Sequence, residues 1–181
     1  MPANRRPVDR EAKRDEIVRA AERLFTDVGF DATPMTQLAA AAGVTTNTVY
    51  WYFEDKDAVL IAVLDVLLQE ALQEHAQHTN LPLNEQAHWA LDRLQRIHRL
   101  VSVVHTRAGS SPAVAAWHDT FHELADSLLA ASLRNAGVAD ADLAAASRIG
   151  TFVIEGLLSH PQDEDSQADI IRLLGALAVP R

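Results

Sequence analysis

Apolar positions along this chain recur with helical spacing, and no segment shows the strict alternation of a half-buried strand. Ile17, Ala20, Ala21, Leu24, Phe25 and Val28 fall at i, i+3, i+4, i+7, i+8 and i+11, which is one face of a helix. Asp9 can cap that helix, Gly29 can end it, and Phe30 can make the closing apolar contact. Thr33-Pro34 reads as N-cap and first turn of a short helix over 35–42, with Leu38, Ala39 and Ala42 inward. Gly43 breaks it, and Thr45 can cap another short helix to about residue 53. Asp55 caps a longer one through Val59, Leu60, Val63, Leu67 and Ala71 towards His78. The turn "TNLPLN" (79–84) precedes a helix from about Glu85 that carries Leu91, Leu94, Ile97, Val101 and Val104. "AGSSP" (108–112) ends it, with Ser111 as the next N-cap and Pro112 at the first helical position. That helix carries Val114, Trp117, Phe121, Leu124 and Leu128, and closes near Gly137. Asp140 opens a further helix to about His160, and Ser166 with Asp169 resembles a capping box for the last. The pattern predicts an all-α chain of about nine helices, without internal repeats.

One segment departs from ordinary helix chemistry. "TTNTVYWYFEDKD" (45–57) sets Tyr50, Trp51, Tyr52 and Phe53 side by side. On a helix at about 100° per residue, Val49 and Phe53 share the inward face. Asn47 and Trp51 point away from it, with Thr48 and Tyr50 on the flanks. The outward face therefore holds hydroxyl, amide and aromatic groups with no charge, where mere solubility would favour Glu, Lys or Gln. Two short helices joined across "AAGV" make a helix-turn-helix pattern. In that setting small hydroxyls and an amide near a helix N-terminus suit base edges in the major groove. Tyrosine hydroxyls can donate to phosphates. Lys56, in the first turn of the following helix, stands where backbone N–H groups also favour an anion.

Composition narrows the classes. The 181 residues are 48% hydrophobic and 23% charged, in the range of a globular chain. No apolar run reaches the roughly 18–20 residues of a membrane span, and no signal-like segment follows the basic N-terminus, so a cytoplasmic protein is expected. The chain has no cysteine, which excludes disulfides, thiolate metal sites and cysteine nucleophiles. The net charge of −9 argues against nucleic acid until its distribution is considered. Arg5, Arg6, Arg10, Lys13 and Arg14 face only Asp9 and Glu11 within residues 1–14. Residues 61–181 hold 8 basic and 15 acidic side chains, so the acidity sits in the body.

Residues 10–64 resemble the N-terminal domain of the TetR (tetracycline repressor) family of bacterial regulators. The matching string is "IVRAAERLFTDVGFDATPMTQLAAAAGVTTNTVYWYFEDKDAVLIAVL": a first helix ending in Gly-Phe, then a Thr, Leu-Ala, Ala-Gly-Val, the "VY-x-YF" block and a lysine three residues after Phe53. The resemblance covers about a third of the chain and implies a three-helix DNA-binding domain joined by a long fourth helix to a helical body. It implies a basic arm over 1–9, the DNA-binding domain over 10–54, and an effector-binding and dimerisation domain over 55–181. It further implies a cytoplasmic, nucleoid-associated homodimer on a double-stranded operator, most members being repressors released by a small molecule. By motif position Thr46, Asn47 and Thr48 are the base-reading candidates. Thr36, Gln37, Tyr50, Trp51, Tyr52 and Lys56 are the backbone or positioning candidates. The departure is charge: residues 1–60 hold 8 basic against 10 acidic side chains, so affinity must lean on dipoles, hydroxyls and the arm.

In the body, "DADLAAASRIGTFVIEGLLSH" (140–160) is rich in small residues that let another helix approach closely. With the last helix it makes a candidate dimer interface through Gly150, Val153, Leu157, Ile170 and Leu174. Leu94, His98, Val101 and His105 form one stripe, and Val114, Trp117, His118, Phe121 and His122 another. Trp89, His98, His105, Trp117, His118 and Phe121 are thus candidates to line an apolar effector pocket of unknown ligand. "HDTFH" (118–122) places two histidines at zinc-ligand spacing, but Asp119 stands where H-E-x-x-H needs Glu and no third ligand is evident. No metal site and no cofactor are expected. Neither a serine-nucleophile elbow nor a phosphate loop is present, so a histidine-based metalloenzyme is the weaker reading, beside an architectural DNA binder without effector.

Overall fold

The computed structural model describes residues 7–160 and 162–177, and every regular element among them is an α-helix. In chain order these are α1 (Pro7–Asp27), α2 (Met35–Ala41), α3 (Thr46–Tyr52), α4 (Lys56–His78), α5 (Leu83–Arg96), α6 (His98–Ala108), α7 (Pro112–Asn135), α8 (Leu143–Ser159) and α9 (Glu164–Leu177). The chain divides into two compact units. The first takes the residues up to Glu70 with Arg99–Ala116; the second takes Ala71–His98 with Trp117–Arg181. The first unit is thus larger than residues 10–54, since it includes most of α4 and nearly all of α6.

In the first unit, α2 packs on both α1 and α3. Ile17, Val18, Ala20, Ala21 and Phe25 of α1 are buried, as are Leu38 and Ala39 of α2, Val49, Phe53, and Val59, Leu60 and Val63 of α4. Fully burying side chains of this size contributes about 1.5–3 kcal/mol each. The α1 stripe is one residue off its expected edge: Val18 is inside and Val28 is exposed, because the helix ends at Asp27. Gly29, at φ +104°, turns the chain back so that the Phe30 ring meets Phe25 edge-on at 5.1 Å. The first helix begins at Pro7, so Pro7, Val8 and Asp9 belong to it and the expected arm over 1–9 is cut back. Arg5, Arg6 and the rest of residues 1–6, like the "AVPR" end, lie outside the described residues.

Several caps differ from the sequence reading. Pro34, not Thr33, is the N-cap of α2; the buried Thr33 hydroxyl instead donates to the Gly29 carbonyl at 2.7 Å, bracing the turn. Thr45 and Asp55 cap as expected: Thr45 Oγ1 accepts from Thr48 N at 3.2 Å, and Asp55 Oδ1 from Ala58 N at 2.8 Å. The α8 helix starts at Leu143 rather than Asp140, whose carboxylate accepts from Arg134 at 3.1 Å. Asp163 caps α9, its carboxylate accepting from both the N–H and the hydroxyl of Ser166, so the Ser166–Asp169 box does not form. Hydrogen bonding to the ionised form holds the Asp163 carboxyl below its ordinary range.

The continuous helix expected from Glu85 to Val104 is two helices. Ile97 leaves helical geometry at φ −112°, ψ +22°, between α5 and α6. The second unit ends at His98 there, and Arg99 of the first unit donates to the Asp27 carbonyl at 3.1 Å. In the second unit α5 packs on α8 and α9 around Leu91, Leu157 and Ile171. Leu133 and Leu143 nucleate a further cluster with Leu83, Leu129 and Val138.

Candidate nucleic-acid interface

The turn from α2 to α3 is built on Gly43, which adopts φ +64°, a conformation costly to any residue with a Cβ. Val44 N donates to the Ala39 carbonyl at 2.9 Å and closes the α2 end. Val49 is fully buried and Phe53 nearly so, which fixes the rotation of α3. The opposite face is open: Asn47 is exposed, Tyr50 is 51% exposed and Trp51 60%. Thr46, Thr48 and Tyr52 are partly exposed on the flanks. The Thr48 hydroxyl is 2.9 Å from that of Thr45, so it is shared with the cap. Thr36 and Gln37 are exposed on α2.

Two cations of α1 approach the aromatic block, Arg10 on the open face and Arg14 at the buried ring. The Arg10 guanidinium lies 4.5 Å from the centre of the Trp51 ring, and that of Arg14 lies 5.2 Å from Phe53. Trp51 also meets Tyr52 edge-on at 4.7 Å. The sequence reading placed Arg10 and Arg14 in a basic N-terminal segment; that Arg10 is delivered to the α3 surface emerges only from the fold. The signal was there in part, since both lie one helical turn apart on α1.

Lys56 sits half-buried with its ammonium 4.3 Å from the Phe30 ring centre. Burial lowers its pKa, with Arg107 adding to the effect and Asp31 and Asp57 opposing it. The start of α4 is less free than expected for an anion, because the Asp55 carboxylate already occupies the Ala58 N–H. Beside Lys56 lies the buried Asp57. It receives Arg107 of α6 on both oxygens, Nε to Oδ1 at 3.0 Å and Nη2 to Oδ2. Burial alone would push the Asp57 carboxyl up, but hydrogen bonds from Arg107 and Ser111 and the charges of Arg107 and Lys56 hold it below the usual carboxylate range. This ion pair was not legible in the sequence, where its partners are fifty residues apart.

In the second unit, Trp117 and Phe121 stack at 5.5 Å, and His118 and His122 meet at 4.3 Å between ring centres on the next stripe of α7. Trp89 joins α4 instead, stacking on His78 at 4.9 Å and lying 5.8 Å from His75. Burial and the neighbouring His78 hold His75 below its ordinary pKa. His98 is exposed, its Nδ1 3.0 Å from the Gln95 carbonyl; His105, in the first unit, is also exposed. The break at Ile97 removes the single stripe expected through Leu94, His98, Val101 and His105. Of the dimer candidates, Leu157 is buried in the chain's own core and Val153 packs against it. Gly150 is buried too, and a Cβ there would meet Leu129 Cδ2 at 2.6 Å. Only Ile170 is exposed, at 36%, with Leu174 partly so. The large exposed apolar side chains of α8 and α9 are Ile149, Phe152, Ile170 and Leu173.

The geometry of the first unit defines a class: a helix-turn-helix DNA-binding domain attached to an all-α body, with no described helix long and apolar enough to cross a membrane. Residues 17–63 match the family described as "Bacterial regulatory proteins, tetR family". The match is confined to the helix-turn-helix segment, so it is the DNA-binding domain of this chain that is similar to that family. It is 39% identical over 64 residues to the HTH-type transcriptional regulator HbdR of Aromatoleum sp. (strain CIB), covering 35% of this chain and 28% of that one. It is 32% identical over 88 residues to the HTH-type transcriptional regulator TtgR of Pseudomonas putida, covering 49% and 39%. The matched region thus spans well under half of these curated relatives. Among solved structures, a transcriptional regulator from Rhodococcus sp. Rha1 superposes with a TM-score of 0.75 at 15% identity, over 91% of this chain and 95% of that one. A regulator from Saccharomonospora viridis in complex with choline gives 0.73 at 18%, over 92% and 94%. At such identities the likeness establishes the fold.

Proposed function

We propose that the protein is a homodimeric, sequence-specific transcriptional regulator, a repressor that leaves its operator when a small, largely apolar effector binds the helical body. The observation that carries this reading is the open face of α3. Asn47, Tyr50 and Trp51 are exposed, Thr46 and Thr48 flank them, and α3 itself contributes no charged side chain. Thr46, Asn47 and Thr48 read base edges; Thr36, Gln37, Tyr50, Tyr52 and Lys56 position the backbone. Trp51 and Arg10 act together, the ring holding the guanidinium at the edge of the reading surface.

Dimerisation supports two recognition helices on a two-fold site, with half-site grooves about 34–36 Å apart. The exposed Ile149, Phe152, Ile170 and Leu173 supply the apolar surface for it. In the body, the stacked Trp117–Phe121 pair and the Trp89–His78 stack offer aromatic walls for an effector. The choline found in the Saccharomonospora regulator is a precedent for a small ligand on this fold. Such a protein works in the cytoplasm, at the nucleoid.

Selection of bound fragments from random duplex DNA tests the reading. A palindromic consensus of two half-sites is the expected result. Equal affinity for the consensus and its scrambled version at moderate salt would instead describe an architectural binder.

A further inference from the structure

The pair of histidines in "HDTFH" lacked a third ligand in the sequence, and the fold supplies one. His118 and His122 lie one turn apart on α7, with their Nε2 atoms 3.0 Å from each other. Glu155 of α8 brings Oε1 to 3.2 Å from His122 Nε2. All three side chains are more than half buried, with 23%, 27% and 33% of their surfaces exposed. Asp119, at the position of the glutamate in H-E-x-x-H, is 80% exposed and 4.0 Å from His118 Nδ1. The cluster is therefore not built to activate water with that side chain.

We propose that His118, His122 and Glu155 form a two-histidine, one-carboxylate site for a first-row divalent cation, with Zn²⁺ as the type ion. His122 Nε2 faces another imidazole nitrogen and a carboxylate oxygen at once. A single proton on that nitrogen can serve only one of these contacts, whereas a cation beside it is a partner to both neighbours. The spacing fits as well. Two ligands on a tetrahedral zinc, with bonds of about 2.0–2.1 Å, stand about 3.3 Å apart. The observed separations of 3.0 and 3.2 Å are close to that edge, so binding needs shifts of a few tenths of an ångström. The donor set of imidazole and carboxylate suits Zn²⁺, Ni²⁺ and Cu²⁺ rather than Mg²⁺ or Ca²⁺. Three protein ligands leave a fourth position for water. The ion would tie α7 to α8, independently of any DNA bound by the first unit.

The test is a titration of the full-length, chelator-treated protein with Co²⁺, followed by its visible d–d absorption, and then displacement by Zn²⁺. The expected result is one ion per chain, with a dissociation constant on the order of 10 μM or below, and a rise in melting temperature of about 5 °C with saturating Zn²⁺. His118→Ala and His122→Ala should each abolish the Co²⁺ spectrum, and Glu155→Gln should weaken binding by about 10-fold or more. His160→Ala, an exposed histidine at the end of α8, should change nothing. Circular dichroism of each variant guards against loss by unfolding, and His118→Gln, which keeps a polar side chain there, replaces any variant that fails it. Absence of binding by the wild type at about 100 μM Co²⁺ overturns the proposal. So does a spectrum unchanged in either histidine variant or in Glu155→Gln.

Discussion

Two surfaces of this molecule expose large apolar side chains, and they differ in what surrounds them. On α3, Tyr50 and Trp51 are set among an amide, hydroxyls and the Arg10 guanidinium. On α8 and α9, Ile149, Phe152, Ile170 and Leu173 stand exposed, and the charges nearest to Leu173 in sequence, Arg172 and Asp169, are paired with each other at 2.8 Å. Exposed apolar surface costs water contacts in either place. A surface whose ring carries a guanidinium and whose neighbours are an amide and hydroxyls suits a polar, anionic partner; four large exposed apolar side chains suit another apolar face. On this ground the first surface is proposed for DNA and the second for a copy of the same chain, and each proposal can be broken separately.

The largest effect is expected at the second surface. Phe152→Asp replaces a ring that is 63% exposed, so the folded chain should lose no more than about 0.5 kcal/mol. An interface built on that ring should lose on the order of 2–4 kcal/mol, enough to leave monomers at micromolar concentration. Light scattering checks the mass and calorimetry the fold. Operator affinity should fall with the dimer, although residue 152 is on the body. A dimer that persists would move the interface off this face. Gly150, Val153 and Leu157 make the contrasting experiment, since substitutions there strike the chain's own core first.

Next comes the ion pair behind α4. Asp57→Asn should destabilise the chain by about 1–3 kcal/mol, the cost of breaking a buried pair discounted because Arg107 is a third exposed. The folded carboxyl is held below its unfolded value, so the folded state binds fewer protons. Its contribution is complete above the unfolded pKa of about 3.9 and is lost as pH falls through the depressed folded value. Stability of the wild type should therefore drop more steeply on acidification below about pH 4 than that of the variant. Urea titrations at neutral pH and at successively lower pH measure both quantities.

How far the sequence carried depended on whether a feature was local. The all-α class, the rotation of α3 and the caps at Thr45 and Asp55 follow from spacing and neighbouring residues, and all were legible. The break at Ile97 was not, because neither glycine nor proline marks it; it comes where the chain passes from one compact unit to the other. The pairing of Asp57 with Arg107 and of His122 with Glu155 depends on which helices pack, and periodicity carries no such information. The small residues of α8 were read correctly as a close approach, but Gly150 meets Leu129 of the same chain. A pattern of small residues states that something approaches and not whether it is the chain or its copy.

On the α3 surface, Asn47→Ala should relax base preference at one position in each half-site by about 1–3 kcal/mol per contact. The exposed amide has no role in the core, so the melting temperature should not change. A competition assay over a library of singly substituted operators measures this. A loss spread evenly over all positions would make Asn47 a backbone contact and transfer base reading to Thr46 and Thr48.

The smallest effect is expected at Lys56, and it sharpens the division between reading and positioning. Its ammonium is held over Phe30 and half-buried, at the start of the helix that follows the recognition helix. Burial lowers its pKa, while the carboxylates of Asp31 and Asp57 favour the charged ammonium. That charge can meet a phosphate but carries no sequence information. Lys56→Ala should therefore weaken every sequence alike, and reduce the slope of log affinity against log salt by about one counterion per chain. Asn47→Ala should leave that slope unchanged while altering sequence preference. Salt titrations of both variants on the operator and on a scrambled duplex separate the roles. If Lys56→Ala changes base preference and leaves the salt slope alone, the ammonium reads bases, and the reading surface extends beyond α3 into the first turn of α4.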